Sequence, residues 1–161
     1  MAIVLTRIDN RLIHGQVLEA WVPFTRADCI IVANDQVAAM PLQSRLMEAS
    51  VPKTIKVLIG SLAEVSASLQ TGQYADLRIL LLFETAQDAL KARNMGIPFQ
   101  TLNLGNMHAG VGKVRFTCTL ALDPGDIEDL SRLEADGVTI ACQCIPADKE
   151  RPWRKLIPEE R

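Results

Sequence analysis

The chain has 161 residues, a net charge of −2, 48% hydrophobic residues and 22% charged residues, a balance typical of a soluble globular protein with one core. The nearly neutral charge argues against a general nucleic-acid binder. No apolar run approaches the ~20 residues that span a bilayer, and no signal-peptide pattern stands at the amino end. We therefore expect a cytoplasmic protein.

Apolar runs and helical patterns alternate along the chain. Strands are expected at residues 2–6, 29–33, 54–59, 77–83, 99–104 and 138–142, with one strand or two short ones within 113–122. Helices are expected at residues 15–25, 36–49, 61–70, 85–94 and 123–135. Pro41 indicates a start or kink inside the second helix, while Ser61 with Glu64 and Thr85 with Asp88 indicate helix caps.

This alternation predicts the fold class, an α/β domain with an open, mostly parallel sheet of about six to seven strands and helices on both faces. We expect one domain over residues 1–161, with an irregular tail, 145–161, packed on it. Loops after parallel strands open at the same carboxyl edge of a sheet. That edge is expected to collect His14, Asn34, Asp35, Glu84 and His108.

The candidate site lies directly after the first strand, where charged residues follow the apolar run and a helical pattern begins a few residues later. His14 is the candidate nucleophile, because imidazole is both nucleophile and base near neutral pH. Arg7 and Arg11 are candidates to hold a phosphoryl group, since guanidinium matches phosphate oxygens in a planar fork. Asp9, together with Asn10, is expected to orient the imidazole.

Gly15 and Gln16 stand at the start of the helix that follows. Backbone N–H groups and the positive end of the helix dipole collect there, which favours a bound phosphate. Trp21 is expected in the core, and the four cysteines, at 29, 118, 142 and 144, are expected to be reduced and buried. The Cys142-Gln143-Cys144 spacing has no partner pair that would suggest a zinc site.

Residues 7–17, Arg-Ile-Asp-Asn-Arg-Leu-Ile-His-Gly-Gln-Val, resemble the amino-terminal signature of the enzyme IIB proteins of the mannose/fructose/sorbose family of the sugar phosphotransferase system (PTS). A second similarity is the Gly105-Asn106-Met107-His108 element, followed by Gly112 and Lys113. The resemblance departs at Glu84, where many relatives have a basic residue, so a cationic contribution from that loop is not expected.

The resemblance implies a protein-N(pi)-phosphohistidine–sugar phosphotransferase. His14 would accept a phosphoryl group through Nδ1 from a phosphohistidine on enzyme IIA. It would then pass the group to a sugar during uptake by the membrane subunits IIC and IID, with which the chain would associate peripherally. The resemblance implies no metal and no cofactor beyond the transient phosphohistidine.

Several alternatives stay open at this point. The chain could be a regulatory or binding module that kept the fold and lost transfer, or a phosphatase that uses Asp9 or Asp35 as general acid. His108 either contacts the phosphorylated loop or ties its own loop down by hydrogen bonds, and the second interpretation is favoured. Asn34 and Asp35 either brace the His14 loop or cap the next helix. The sequence does not identify the sugar. A homo-oligomer formed through a sheet edge or the tail is another open alternative.

Overall fold

A computed structural model describes residues 2–158. Seven of its strands form one sheet in the order β3-β2-β4-β1-β5-β8-β9, and β6 and β7 form a separate antiparallel pair. The strands are β1 (Ala2–Asp9), β2 (Cys29–Ala33), β3 (Lys56–Gly60), β4 (Arg78–Phe83), β5 (Thr101–Asn106), β6 (Val114–Arg115), β7 (Ala121–Leu122), β8 (Thr139–Cys142) and β9 (Arg151–Pro152).

Residues 2–158 also contain seven helices, of which the last follows the final strand. The first, α1, covers residues 15–25 and contains a π-helical segment, Val17–Trp21, followed by an α-helical turn, Val22–Thr25. The others are α2 (Asp35–Ala38), α3 (Pro41–Ala49), α4 (Leu62–Leu69), α5 (Ala86–Asn94), α6 (Pro124–Ala135) and α7 (Trp153–Leu156). No helix in this range is long and apolar enough to cross a membrane.

The sheet is parallel throughout except at β9, which pairs antiparallel with β8. The predicted fold class, an open and mostly parallel sheet with helices on both faces, is therefore confirmed. Two apolar cores form, one on each face of the sheet. The larger core packs α4, α5, α6 and α7 on one face, and the other core packs α1 and the α2–α3 region on the opposite face.

Caps begin and end the helices largely where the sequence predicts them. Ser61 and Glu64 form the expected reciprocal capping box of α4. Thr85 accepts a hydrogen bond from the backbone N–H of Asp88 at the start of α5. Pro41 divides the predicted 36–49 helix into α2 and α3, because proline favours the first turn of a helix and breaks an interior one.

The structure corrects the bounds of several elements. Strand β1 runs on to Asp9 and β5 to Asn106, because the two strands pair in this region, so part of the predicted loops belongs to the sheet. Residues 113–122 form two short strands. The tail is not irregular throughout: it contributes β9 and α7, and Trp153 is buried against the larger core. Residues 159–161 of the predicted tail lie outside the described residues.

The cysteines follow the expectation in part. All four are free thiols. Cys29 and Cys142 are buried, and burial raises the pKa of each thiol to about 11. Cys118, in contrast, is exposed, because it lies in the turn between β6 and β7 rather than in a strand.

Candidate active site

A tight turn at the end of β1 shapes the candidate site. The backbone N–H of Leu12 donates to the carbonyl of Asp9 at 2.9 Å, and the N–H of Arg11 donates to Asp9 Oδ1 at 3.0 Å. Leu12 has a positive φ of 59°, a conformation rare for a branched residue. Burial of Leu12 and Ile13, which are 2% and 7% exposed, holds the turn in this conformation.

His14 leaves the turn with its ring directed at Asp9. Its Nε2 lies 2.8 Å from Asp9 Oδ2, and its side chain is 14% exposed. Burial raises the pKa of Asp9, but the hydrogen bonds from His14 and from the Arg11 backbone, with the charge of Arg7, outweigh burial, and the net pKa is lowered. An ionised carboxylate only accepts hydrogen bonds, so Nε2 carries the proton and Nδ1 keeps its lone pair.

Arg7 is fully buried beneath this pair rather than facing a phosphoryl group. Its Nη2 lies 3.2 Å from Asp9 Oδ2, and its Nη1 donates to Asn103 Oδ1 at 2.6 Å. The carbonyls of Gln143 and Cys144 each accept from the same guanidinium at 3.0 Å. This corrects the expectation that Arg7 holds phosphate: its N–H groups serve the carboxylate and the backbone below the site. Burial lowers the pKa of Arg7, and Asp9 opposes that shift.

Gly105 makes room for the buried guanidinium. A Cβ at this position would overlap the guanidinium carbon and both terminal nitrogens of Arg7. Sequence reasoning missed Gly105 as a site residue, as it missed Asn103, Gln143 and Cys144. Gly105 and Asn106 belong to the Gly-Asn-Met-His motif of the sequence, so that motif was a signal for them. The contact of residues 143 and 144 with Arg7 joins segments far apart in sequence, and no sequence pattern indicates it.

Arg11 stands at the rim of the site. Its side chain is 48% exposed, and its Nε lies 3.8 Å from Asp9 Oδ1. When the Asn106 amide is oriented to satisfy both of its neighbours, its oxygen accepts from Arg11 Nε at 2.9 Å and from Nη2 at 3.0 Å. Asn106 thus holds the Arg11 guanidinium in place, close to the Asp9 carboxylate that also contacts His14.

Helix α1 begins immediately after His14. The N–H of Leu18 donates to the His14 carbonyl at 3.1 Å, so the earlier N–H groups of the first turn, those of Gly15 and Gln16 among them, have no partner one turn back. The Gln16 side chain turns inward, with Nε2 3.6 Å from Cys144 Sγ. The contribution predicted for Gln16 is therefore left to its backbone N–H, since its side chain is directed at Cys144 and Arg7.

Two predicted supporting residues act as helix caps. Asn34 Oδ1 accepts from the Val37 N–H at 2.8 Å, and its Nδ2 donates to Glu84 Oε2 at 2.8 Å. Asp35 Oδ1 accepts from the Leu62 N–H at 2.9 Å, at the start of α4. Capping of the next helix is therefore confirmed for Asn34, whereas Asp35 binds the start of α4 instead. The bracing interpretation is wrong for both residues, since within residues 2–158 neither side chain bonds to the His14 loop.

Asn10 and His108 line a small cavity beside the turn, together with Glu84 and Lys113. Asn10 Oδ1 is buried without a hydrogen-bond partner among the described residues, and Asn10 does not bond to the His14 ring there, which corrects its predicted orienting role. His108 is exposed and makes no hydrogen bond within the described chain, so the favoured loop-tying interpretation is wrong.

The structure as a whole is similar to a solved structure of the PTS. It matches the IIB domain of the sorbose permease from Klebsiella pneumoniae with a TM-score of 0.93 and 34% identity, over 100% of this chain and 99% of that chain. The fold and the histidine centre at its carboxyl edge thus define the class of PTS IIB domains.

The sequence comparisons give the family. The model of the PTS sorbose-subfamily IIB component matches residues 3–161, and the chain belongs to that family. The N-acetylgalactosamine-specific phosphotransferase enzyme IIB component 2 of Escherichia coli K12 is 39% identical over 155 residues, 96% of this chain and 98% of that one. The mannose-specific EIIAB component of the same organism is 31% identical over 98% of this chain and 49% of that protein.

The chain is therefore a PTS IIB component, a phosphotransferase that receives a phosphoryl group from IIA and transfers it to a sugar. Components of this kind work with IIA and with IIC/IID in one system. The comparisons give no support to a regulatory module without transfer.

The lowered pKa of Asp9 predicts loss of stability in acid. A folded pKa below the unfolded value of roughly 3.9 means that the unfolded state binds the proton first, so the contribution of Asp9 is complete above that value and is lost as pH falls through the folded pKa. Urea unfolding between pH 6 and pH 2 should show this loss, and the loss should be smaller in Asp9→Asn. Asp76→Asn, which changes an exposed carboxyl, should follow wild type, and equal slopes in all three proteins would contradict the prediction.

Proposed function

We propose that His14 carries the phosphoryl group in this chain. A phosphohistidine of the system's enzyme IIA donates the group, and His14 passes it to a sugar held by the membrane subunits IIC and IID. The observation that carries the proposal is the 2.8 Å contact between His14 Nε2 and Asp9 Oδ2. In this role the chain works in the cytoplasm, docked on the membrane subunits, with phosphohistidine as its only transient group.

The geometry supports attack by Nδ1. The Nδ1 lone pair forms a new N–P bond in line with the departing nitrogen, and the N–P bond to the histidine of IIA breaks. As the Nδ1 lone pair is drawn into the new N–P bond, the ring becomes positive. The proton stays on Nε2, which continues to donate to the ionised carboxylate of Asp9, and that carboxylate offsets the positive charge. Arg7 holds that carboxylate from below, so the ring needs little reorganisation during the step.

Charge on the transferring phosphoryl oxygens is stabilised from two directions. Arg11 supplies a guanidinium beside the ring, and the backbone N–H groups of Gly15 and Gln16 supply the positive end of α1. Such fixed donors perform the stabilisation that metal ions provide in other phosphoryl-transfer sites. Arg7 takes no part in this contact, because it is buried under the Asp9 carboxylate.

Incubation of the purified chain with phosphorylated IIA tests the proposal. We expect one phosphoryl group on this chain, at Nδ1 of His14, as read by phosphorus NMR and by peptide mapping under conditions that preserve phosphohistidine. Attachment to Nε2 or to His108, or no uptake at all, would contradict the proposal.

Replacement of Arg11 by lysine should slow acceptance of phosphate. A point charge replaces a planar fork, and we expect a rate loss of roughly ten- to a thousandfold, the scale of losing one stabilising donor. Quench-flow phosphotransfer from IIA measures the rate. Arg132→Lys, which changes an exposed arginine on α6, is the matched control, and equal rates for Arg11→Lys, Arg11→Ala and wild type would show that Arg11 serves structure alone.

A further inference from the structure

Helix α3 exposes apolar side chains that its pattern would place in the core. Leu42 and Leu46 are 71% and 63% exposed, and Met40, just before the helix, is 44% exposed. The two leucines stand one turn apart and therefore share a face. No residue of α3 is fully buried, and its inner face is formed by Ser44 and the partly buried Met47. We call Met40, Leu42 and Leu46 the apolar strip.

The apolar strip lies beside the candidate active site. Helix α2 starts directly after β2, and α3 runs back from there toward the start of β3, so Met40 and Leu42 stand at the same carboxyl edge as His14. One strand, β4, separates β2 from β1, which places the ends of β2 and β1 about 10 Å apart at ~4.8 Å per strand. The bond from Asn34 to Glu84 ties the start of α2 to the end of β4 at this edge.

The His14 turn itself offers little apolar surface to a partner. Leu12 and Ile13, the apolar residues next to His14, are buried. Phe24, in the last turn of α1, and Met95, directly after α5, are also exposed, and both lie toward the opposite, amino edge of the sheet. A protein that reaches His14 from the α2–α3 side therefore meets the apolar strip first.

Building on the proposed function of His14, we propose that the apolar strip is a docking surface for the enzyme IIA domain that delivers the phosphoryl group. The start of the strip lies at the same edge of the sheet as the site that IIA must touch, and the Asn34–Glu84 bond links the start of α2, the helix before the strip, to the end of β4 beside that site. Arg45, exposed between the two leucines, adds a positive charge suited to the negative surface around a phosphohistidine, and arginine is enriched in interfaces of this kind. A strip of three side chains suits a complex that must form and dissociate in each cycle, since small interfaces belong to transient encounters.

The double variant Leu42→Ser/Leu46→Ser tests the docking surface. Because neither side chain is buried, the fold should be retained, as circular dichroism and thermal unfolding will check. We expect the second-order rate of phosphoryl transfer from phosphorylated IIA to fall at least tenfold, while the first-order rate at saturating IIA stays within twofold of wild type. Met95→Ser, which removes an exposed apolar side chain at the amino edge, is the matched control and should behave as wild type.

Each other outcome has a definite meaning. A wild-type second-order rate in the double variant, with His14 still labelled, overturns the docking surface and leaves the proposed function intact. Absence of labelling in wild type contradicts the proposed function itself. A normal rate with IIA but slower transfer to sugar through the membrane subunits, or a wild-type dimer that the double variant dissociates, would assign the strip to those subunits or to a second copy and would also overturn the proposal.

Discussion

His14→Ala should abolish acceptance of the phosphoryl group from enzyme IIA. Among residues 2–158, the variant loses the only ring that contacts the Asp9 carboxylate, and no neighbouring group in that range supplies another nucleophilic imidazole. Labelling with phosphorylated IIA, followed over minutes, should fall to background. The fold should persist, because the variant removes one hydrogen bond to a charged group, worth about 1.5–3 kcal/mol, while Arg7 and the Arg11 N–H still satisfy Asp9.

The chain supplies its own control for this experiment, since it has two histidines. His108 is exposed and lies on the loop that follows β5. His108→Ala should therefore still take up one phosphoryl group on His14. Labelling of His14→Ala at the wild-type level, or its loss in both variants, would remove His14 from the role proposed here.

Gly105→Ala should be among the most damaging single substitutions in the core of the protein. The added Cβ would occupy the space of the Arg7 guanidinium, and close packing leaves the guanidinium no alternative position inside the sheet. We expect a loss of about 3–5 kcal/mol in the free energy of unfolding, the range for breaking a buried ion pair, measured by urea titration. Phosphoryl acceptance should fall as well, because Asp9 loses the support that orients His14.

Gly110→Ala is the matched control for that loss. Gly110 lies five residues later, in the loop that follows β5, and a Cβ there would meet only the Lys113 side chain, at 3.9 Å. Its free energy of unfolding should stay within about 0.5 kcal/mol of wild type, the usual range for surface positions. A stable and active Gly105→Ala protein would show that Arg7 can leave the site without consequence.

Local signals carried most of the fold prediction. Apolar runs of strand length, helix caps such as Ser61 and Asp123, and the break at Pro41 depend on residues close in sequence, and these elements lie within a few residues of their predicted positions. The tail was mispredicted because its structure depends on distant partners. Residues 151–152 pair with β8, and Trp153 donates to Glu134 Oε2 at 2.7 Å.

The candidate site divides in the same way. The contact of Asp9 with His14 spans five residues, and charge patterning after β1 was enough to predict it. The burial of Arg7 could not be predicted. Successive side chains of a strand point to opposite faces of the sheet, and whether the face of Arg7 is covered depends on segments that are distant in sequence. Asn10 and Gln16 were misjudged for a similar reason: the charged composition of the turn does not tell which side chains point outward.

The partners of Arg7 also determine when the site can form during synthesis. The carbonyls that fix its guanidinium belong to Gln143 and Cys144, 136 and 137 residues later in the chain. Chains emerge from the ribosome amino end first, so His14 is made before residues 143 and 144, and its supporting carboxylate and arginine reach their final packing only after those two residues have emerged. A nascent or truncated chain that ends before residue 143 would display the complete residue 7–17 motif and yet lack the buried support that makes His14 a competent acceptor.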